Sequence, residues 1–408
     1  MDHVEVPQLL GLLAAVLGIA KLLGAAAKWI GQPAVLGELL AGVLLGTSVA
    51  GLVNPDSQIL HVLAELGVVI LLFEIGLETD LRKLLQVGGT SAVVAIVGVV
   101  LPFALGFAVC RGLGHSNLVA IVAGATLTAT SVGITGRVLA DLNRLQETES
   151  RIILGAAVID DVIGLVILAV VAGLTQGQEV TLAGVATKTA VAFGFLIGTL
   201  VVGRLIVPPL VKVLSRIDLP GTPTILAIML AFTLAWLASV AGSAMIIGAF
   251  AAGLLLRNTP HAPEIERGVA QLGHFFVPLF FVMVGAAVDV RVLNPLDPAN
   301  HRVLLVGGLL ILAAVIGKFG AGYAPFWFKG NKTVIGVGMI PRGEVGLIFA
   351  QMGLATGVFD AGMFAAATVM VLVTTFIAPP LLRMLFPPVH RSGPSPEPEG
   401  IEELVTEG

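Results

Sequence analysis

The chain has 408 residues, of which 57% are hydrophobic and only 12% are charged, and its mean hydropathy is +1.02. Soluble globular proteins carry about 25% charged residues, so this composition excludes that class and predicts an all-α polytopic membrane protein. The net charge of -4 at pH 7 is spread over the chain, which argues against a nucleic-acid partner. The single cysteine, Cys110, excludes internal disulfides and metal sites with several cysteine ligands.

Apolar stretches of helical length recur along the chain, separated by glycine, proline and charged residues. Because a helix needs about 20 apolar residues to cross a bilayer, they predict about thirteen transmembrane helices. Strands of a membrane barrel would be about half as long and would alternate in polarity, so a barrel does not fit. The predicted spans are 6–29, 32–52, 60–77, 88–112, 116–138, 150–174, 183–210, 221–241, 243–257, 270–288, 302–324, 333–355 and 361–386.

Basic residues are distributed unevenly between the loops on the two sides of these spans. Fourteen lie on one side and four on the other, and the positive-inside rule makes the richer side cytoplasmic. This distribution predicts an N-terminus outside the cell and a C-terminus in the cytoplasm. The first span follows the acidic residues Asp2 and Glu5, where a secretory signal would be basic, so it is expected to remain as a helix.

Three motifs recur in the second half of the chain at nearly one spacing. VLGELLAGVLLG at residue 35 resembles IIGAFAAGLLLR at residue 246, LLFEIGLETDL resembles FFVMVGAAVDV, and SVG at residue 131 resembles EVG at residue 344. The offsets are 211, 209 and 213 residues. Because the related spans are an odd number of helices apart, they predict an inverted repeat, as in many secondary transporters. Small residues recurring for helix packing are the alternative explanation.

Two of the predicted spans contain residues that interrupt a helix. GATLTATSVGITG is rich in hydroxyls and glycine, and GVGMIPRGEVG contains a proline, which removes a backbone donor and obstructs the preceding turn. Helices interrupted at corresponding places in two halves indicate a transport site. The arginine and glutamate of the second span either belong to that site or neutralise each other and the helix ends. The candidate residues in these spans are Thr130, Ser131, Pro341, Arg342, Gly343 and Glu344.

Two adjacent carboxylates, Asp160 and Asp161, lie within the apolar run IILGAAVIDDVIGLVILAVVAGL. A carboxylate in the middle of a membrane costs on the order of 3 kcal/mol, so the pair indicates that a cation or a proton is bound there. Neighbouring helix residues point about 100° apart, so one aspartate can line a cavity while the other meets an internal partner. Lys318 is the expected partner, and a purely structural salt bridge is the alternative role for that pair.

Nucleotide-binding motifs do not occur in the chain. There is no P-loop of the form GxxxxGK[ST], and the glycine spacing of GVGMIPRG does not fit a dinucleotide site. We therefore expect neither a nucleotide nor a cofactor. The expected partners are a monovalent cation, protons and the lipid bilayer.

Several motifs together carry a resemblance to a known family: PAVLGELLAGVLLG, LLFEIGLETDL, TATSVGITGRVLADL, GAAVIDDVIGL, IPRGEVGLIFA and the intramembrane Lys318. With these motifs the chain resembles the monovalent cation:proton antiporter superfamily. Within it, the chain is most similar to the bacterial NapA-type sodium/proton antiporters of the second branch. The resemblance implies thirteen helices and a homodimer in the bacterial inner membrane. It also implies, within residues 1–387, an ion-translocation bundle that moves against an interleaved dimerisation bundle. Residues 388–408 form a polar tail that is predicted to be disordered.

The resemblance also implies roles for individual residues. Asp161 would bind the transported cation and the proton, and Asp160 would pair with Lys318. The double aspartate implies electrogenic exchange of two protons for one sodium ion. The two interrupted spans would cross beside the cation, which places these residues next to it: Thr130, Ser131, Pro341, Arg342, Gly343 and Glu344.

Other functions stay open from the sequence. The cation could be K⁺ instead of Na⁺ or Li⁺, in a K⁺/H⁺ antiporter or a relative of the glutathione-gated potassium efflux systems. An intramembrane aspartyl protease also buries two carboxylates, but it needs them on different helices facing one water. A sensor or scaffold would bind cations without transporting them.

Overall fold

The computed structural model describes residues 6–55, 57–175, 182–214 and 221–386. Within these ranges the chain is almost entirely helical, and the one β pairing is an isolated bridge between Gly46 and Val53. The helices are α1 (Val6–Trp29), α2 (Ala34–Leu45), α3 (Gln58–Glu78), α4 (Leu81–Gln86), α5 (Gly88–Gly112), α6 (Asn117–Thr126), α7 (Val132–Asp141), α8 (Thr148–Thr175), α9 (Leu182–Leu214), α10 (Thr222–Val240), α11 (Met245–Leu256), α12 (Ala262–Ala286), α13 (His301–Ala321), α14 (Lys332–Gly338), α15 (Glu344–Ala355) and α16 (Ala361–Leu385).

Nine of the described helices are long and apolar enough to cross a membrane, and several shorter apolar helices accompany them. The prediction of an all-α polytopic membrane protein is therefore confirmed. The exact number of thirteen spans stays a prediction. The nine long helices are α1, α3, α5, α8, α9, α10, α12, α13 and α16.

Two of the predicted spans contain shorter helices than expected. The stretch 32–52 holds only the twelve residues of α2, and the stretch 243–257 holds only the twelve residues of α11. Twelve residues rise about 18 Å, which is less than the hydrocarbon thickness of about 30 Å. α2 ends because Gly46 takes an extended conformation and the chain then turns through Gly51, whose φ is 67°.

One long helix begins earlier than its hydropathy indicated. The predicted span 270–288 corresponds to α12, which starts at Ala262 because Pro263 suits a first helical turn, where a backbone N–H is not needed. The predicted tail, residues 388–408, lies outside the described residues.

Both predicted helix interruptions are present. The first lies between α6 and α7, and the second between α14 and α15. Ser131 begins α7 as its N-cap, since its Oγ accepts a hydrogen bond from the backbone N–H of Ile134. The two interruptions meet, because the backbone N of Ser131 donates to the carbonyl oxygen of Pro341 at 2.9 Å.

The helices pack into two groups. The first group consists of α1, α2, α3, α10, α11 and α12, and the second consists of α4, α5, α6, α8, α13, α14, α15 and α16. α9 packs on α10 and α11 of the first group and on α8 of the second. α7 contacts both, since it packs on α2 and α3 and also on α8 and α16. The helix that follows the first interruption therefore lies at the boundary between the groups.

Glycine residues bring helix backbones of the first group into direct contact. A Cβ atom on Gly42 of α2 would clash with the carbonyl oxygen of Val282 on α12. In the same way, a Cβ atom on Gly253 of α11 would clash with the carbonyl oxygen of Phe73 on α3. Small residues at such positions are typical of membrane helices that approach each other closely.

Candidate functional site

Asp160 and Lys318 form a buried ion pair between α8 and α13. Lys318 Nζ lies 2.6 Å from Asp160 Oδ2, and both side chains are 0% exposed. Gly98 of α5 lies beside the ammonium group, since a Cβ atom there would be in van der Waals contact with Nζ at 3.4 Å. Asp160 Oδ1 accepts no hydrogen bond from any described residue, so one carboxylate oxygen is available to a further ligand.

Asp161 is the second buried carboxylate of α8, and its residue is 5% exposed. α8 runs past both ends of the second interruption. Ile153 packs against Gly338 at the end of α14, and Gly164 lies beside Val345 near the start of α15. Since the aspartates lie between Ile153 and Gly164 on the same helix, they lie beside the second interruption along the axis of α8.

Hydroxyl groups of the first interruption hold the second one in place. Thr130 Oγ1 donates to the carbonyl oxygen of Met339 at 3.4 Å, and Thr135 Oγ1 donates to the carbonyl oxygen of Gly338 at 2.9 Å. Ser131 faces Gly343, where a Cβ atom would lie 2.7 Å from the serine Oγ. These contacts join the two interruptions into one polar crossing inside the protein.

The Arg342 side chain is fully buried and binds the ends of both interrupted helices. Nη2 donates to Leu127 O at 2.8 Å, just after α6, while Nη1 donates to Ile340 O at 2.6 Å and Met339 O at 3.3 Å, just after α14. Carbonyl groups at helix C-termini lack partners and carry partial negative charge. The guanidinium therefore neutralises both ends, and the Thr375 hydroxyl of α16 holds the carbonyl of Arg342.

Four buried charged groups act on one another at this crossing. The charges that act on Lys318 are those of Asp160, Arg342 and Asp161, and Asp160 in turn acts on Arg342. Two carboxylates and two cationic groups sum to zero when all four are ionised. An added monovalent cation leaves this site with one excess positive charge, which the release of a proton would remove.

The structure brings together most of the predicted site residues. The first interruption meets the second, and the Asp160–Asp161 segment of α8 passes beside them. The Glu344 side chain lies outside the described residues, so its contacts with Arg342 are not described. Arg342 binds carbonyl groups at the ends of both broken helices, and neutralising these ends is one of the two roles that the sequence left open for it.

Two contacts at the crossing were missed by the sequence analysis. Thr135 and Thr375 bind backbone carbonyl groups of the second interruption. Thr135 belongs to the same hydroxyl-rich run as Ser131, and this was the available signal. Thr375 lies within the apolar helix α16, where no sequence signal marked it.

A family model described as "Sodium/hydrogen exchanger, transmembrane" matches residues 12–386, which is most of the chain. The chain belongs to the sodium/hydrogen exchanger family. This membership confirms the resemblance to monovalent cation:proton antiporters, whose members are secondary transporters and not enzymes.

Curated relatives of this exchanger match along most of their length. The high-affinity Na⁺/H⁺ antiporter NhaS3 of Synechocystis sp. is 43% identical over 402 residues, covering 90% of this chain and 87% of that protein. The Na⁺/H⁺-K⁺ antiporter GerN of Bacillus cereus is 34% identical over 379 residues, covering 92% of this chain and 95% of its own.

The fold of this exchanger is also found in a solved structure. The sodium proton antiporter MjNhaP1 of Methanocaldococcus jannaschii superposes with a TM-score of 0.64 over 91% of this chain and 95% of its own. Its sequence identity to this chain is 18%, so this likeness concerns the fold alone.

Proposed function

We propose that this protein is a secondary active antiporter that exchanges a monovalent cation for protons across a cell membrane. Na⁺ is the proposed cation, with Li⁺ as a substitute, because NhaS3 is named as a Na⁺/H⁺ antiporter and is 43% identical. K⁺ is the second candidate, since GerN is named for K⁺ as well and a K⁺/H⁺ antiporter subunit of Bacillus subtilis is 29% identical over 331 residues. The exchange needs no cofactor.

The observation that carries this proposal is the buried Asp160–Lys318 pair next to Asp161 at the crossing of two interrupted helices. Buried ionisable groups in membrane helices mark ion and proton pathways. Asp161 is the proposed carboxylate that binds either the cation or a proton. Thr130 and Ser131 lie at the crossing, where hydroxyl oxygens and unwound backbone carbonyl groups suit Na⁺.

The charges at the crossing support an exchange of two protons for one cation. With protons on Asp161 and Lys318, the ionised groups are Asp160, Lys318 and Arg342, and their sum is one positive charge. With the cation bound to ionised Asp161 and the proton of Lys318 released, the sum is zero. Loading one cation in place of two protons changes the site by one charge, so the proposed exchange is electrogenic.

The glycine contacts of the first group support the proposed inverted repeat. Gly253 follows Gly42 by 211 residues, and Val282 follows Phe73 by 209. These four residues form two contacts, one between Gly42 and Val282 and the other between Gly253 and Phe73. Each contact is therefore the repeat equivalent of the other, as expected when two halves pack with exchanged roles.

We also propose the movement and assembly that the family resemblance implied. The second group of helices would be the ion-translocation bundle and would move past the first group, which would form the dimerisation bundle of a homodimer. The proposed location is the bacterial inner membrane, with the N-terminus outside and the C-terminus in the cytoplasm. The distribution of basic residues supports this orientation.

Purified protein in liposomes that contain a pH-sensitive dye tests the function directly. Sodium-dependent proton flux is expected in the parent protein, and Asp161→Asn should reduce it to the level of protein-free liposomes. Asp289→Asn is a matched control, because Asp289 accepts a hydrogen bond from Arg291 N in an exposed turn. It should leave the flux unchanged.

Two outcomes of this experiment would contradict the proposal. Full sodium-dependent flux in Asp161→Asn would remove Asp161 from the pathway, and cation binding without any flux in the parent would favour a sensor. Parallel measurements with Na⁺, Li⁺ and K⁺ decide the cation, and a response to K⁺ alone would make this protein a K⁺/H⁺ antiporter.

A further inference from the structure

The end of α7 that lies away from the crossing carries charges that the proposed ion pathway does not use. Arg137 Nε lies 3.3 Å from Asp141 Oδ1, and the two side chains are 15% and 10% exposed. Arg137 lies within α7, one turn before Asp141. Besides Asp141, the carboxylates that act on Arg137 lie on α2 and α3: Glu38, Glu74 and Glu78.

Asp141 connects α7 to the first turn of α2. Its Oδ2 accepts a hydrogen bond from the backbone N of Ala34 at 3.0 Å. The first backbone N–H groups of any helix need acceptors from outside the helix. The N-cap residue of α2 is Pro33, and α2 has no hydrogen bond from the side chain of its own N-cap residue. Asp141 therefore supplies from α7 the cap that α2 lacks.

The position of Asp141 in its own helix is unfavourable. It is the last residue of α7, where the partial charge of the helix end is negative and a carboxylate is destabilising. The N-terminus of α2 is the opposite environment, because a carboxylate is stabilising there. The aspartate is thus suited to the contact between the helices and not to the helix that carries it.

Glu38 of α2 provides a second, electrostatic interaction between α2 and α7. It lies one turn after Ala34, its residue is only 2% exposed, and its Oε2 accepts no hydrogen bond from any described residue. The charge that acts most strongly on it is that of Arg137. Separating α7 from α2 would leave this buried carboxylate without its main compensating cation.

We propose that Asp141 is a positioning residue: its bond to α2 holds α7, and with it the Ser131 end of the crossing, in the place seen here. The proposal rests on the proposed function, in which the second group moves past the first. A displacement of α7 from α2 breaks the bond to Ala34 and separates Arg137 from Glu38. These contacts therefore stabilise the present arrangement, and a transport cycle in which α7 moves with the second group must break them.

Distances between spin labels on the two groups test this. In a Cys110→Ala background, Leu22→Cys of α1 and Leu85→Cys of α4 give one label in each group, at positions that are 72% and 63% exposed. Asp141→Ala should at least halve the fraction of molecules at the parent distance. Asp141→Asn should retain the parent distribution, because an amide oxygen still accepts from Ala34 N.

Asp360→Ala is the matched control for these measurements. Asp360 also caps a helix, but through Met363 N of the helix that it begins, at 2.7 Å. Its removal should leave the distances unchanged. An unchanged distribution in Asp141→Ala would overturn the proposal, and so would an equally large shift in Asp141→Asn, which would assign the effect to the charge and not to the cap.

Transport kinetics separate positioning from a general loss of structure. Asp141→Ala should change the maximal exchange rate at least fivefold while the apparent KM for Na⁺ stays within twofold, because Asp141 lies at the far end of α7 from the crossing. A change confined to KM would contradict the positioning role. The distances are measured without transport, so a parent protein without exchange would refute the proposed function and leave the test of Asp141 intact.

Discussion

At the scale of single residues, the site is defined by which buried charge meets which partner. Lys318 binds Asp160 directly, whereas Arg342 donates its hydrogen bonds to the carbonyl groups of two helix ends. Arginine keeps its proton at any physiological pH, while a buried lysine can release one. The lysine is therefore the group suited to carry the second proton, and the arginine is suited to hold the crossing together.

Lys318→Gln should separate proton transport from cation transport. The glutamine amide can still donate a hydrogen bond to Asp160 but has no proton to release, so one proton and one charge are lost from each cycle. Sodium-dependent proton flux is expected to persist at a reduced rate, while the current on a solid-supported membrane should disappear. Lys332→Gln is the control, because Lys332 Nζ only donates to the carbonyl oxygen of Phe326 at 3.2 Å outside the crossing, and it should retain both signals. An undiminished current in Lys318→Gln would show that another group carries the second proton.

At the scale of elements, the interrupted helices create the polar environment that a continuous helix would hide. α6 and α14 both end in front of the crossing, which leaves their last carbonyl groups without partners inside either helix. Arg342 neutralises these ends, and the hydroxyl groups of Thr130 and Thr135 also donate to the carbonyl groups of Met339 and Gly338. The close contact of Ser131 with Gly343 then sets how near the two interruptions approach each other.

Gly343→Ala should push the two interruptions apart. The added Cβ atom would lie 2.7 Å from Ser131 Oγ and 2.9 Å from Ser131 Cβ, which is closer than van der Waals contact allows. Because misplacement by a fraction of an ångström disturbs a coordination site, we expect sodium-dependent flux in liposomes to fall at least tenfold. Gly308→Ala on α13 is the control, since nothing lies within 4 Å of its Cβ position. Equal flux in the two variants would contradict this role of Gly343.

At the scale of the whole molecule, two helix groups meet at α7, and the candidate site on α8 lies beside that helix. The first group is held by close backbone contacts that occur in equivalent pairs, as the proposed repeat requires. The second group carries the paired charges, and the sequence positions equivalent to Asp160 and Asp161 in the other half are Val373 and Thr374. Under the proposed repeat, the scaffold would occur twice and the charged pair once.

Gly42→Ala and Gly253→Ala should destabilise the protein to a similar extent, because their contacts are equivalent under the proposed repeat. Overpacking of this kind costs about 1–3 kcal/mol, which corresponds to roughly 5 °C in the unfolding temperature of a large domain. Thermal unfolding in detergent, followed by tryptophan fluorescence, measures the shift. Gly18→Ala should show none, since nothing lies within 4 Å of its Cβ position. A large shift in only one of the two variants would argue against equivalent halves.

The sequence by itself determined the class of protein and the residues to examine. Hydropathy is a local property, so a run of apolar residues predicts a membrane helix whatever its neighbours are. Charges such as Asp160 and Lys318 are conspicuous against that background, and proline and glycine mark helix interruptions through their own backbone chemistry. For these reasons the helical class, both interruptions and the buried charged residues could be predicted before any contact was known.

Tertiary structure alone decided what those residues touch. The carbonyl group of Leu127 that Arg342 binds and the cap that Asp141 gives to α2 each depend on backbone atoms from distant parts of the chain. Leu127 and Ala34 have apolar side chains, so no sequence pattern marks their backbone groups as partners of a buried arginine or of an aspartate. The candidate residues were therefore readable from the sequence, whereas the geometry that connects the two helix groups was not.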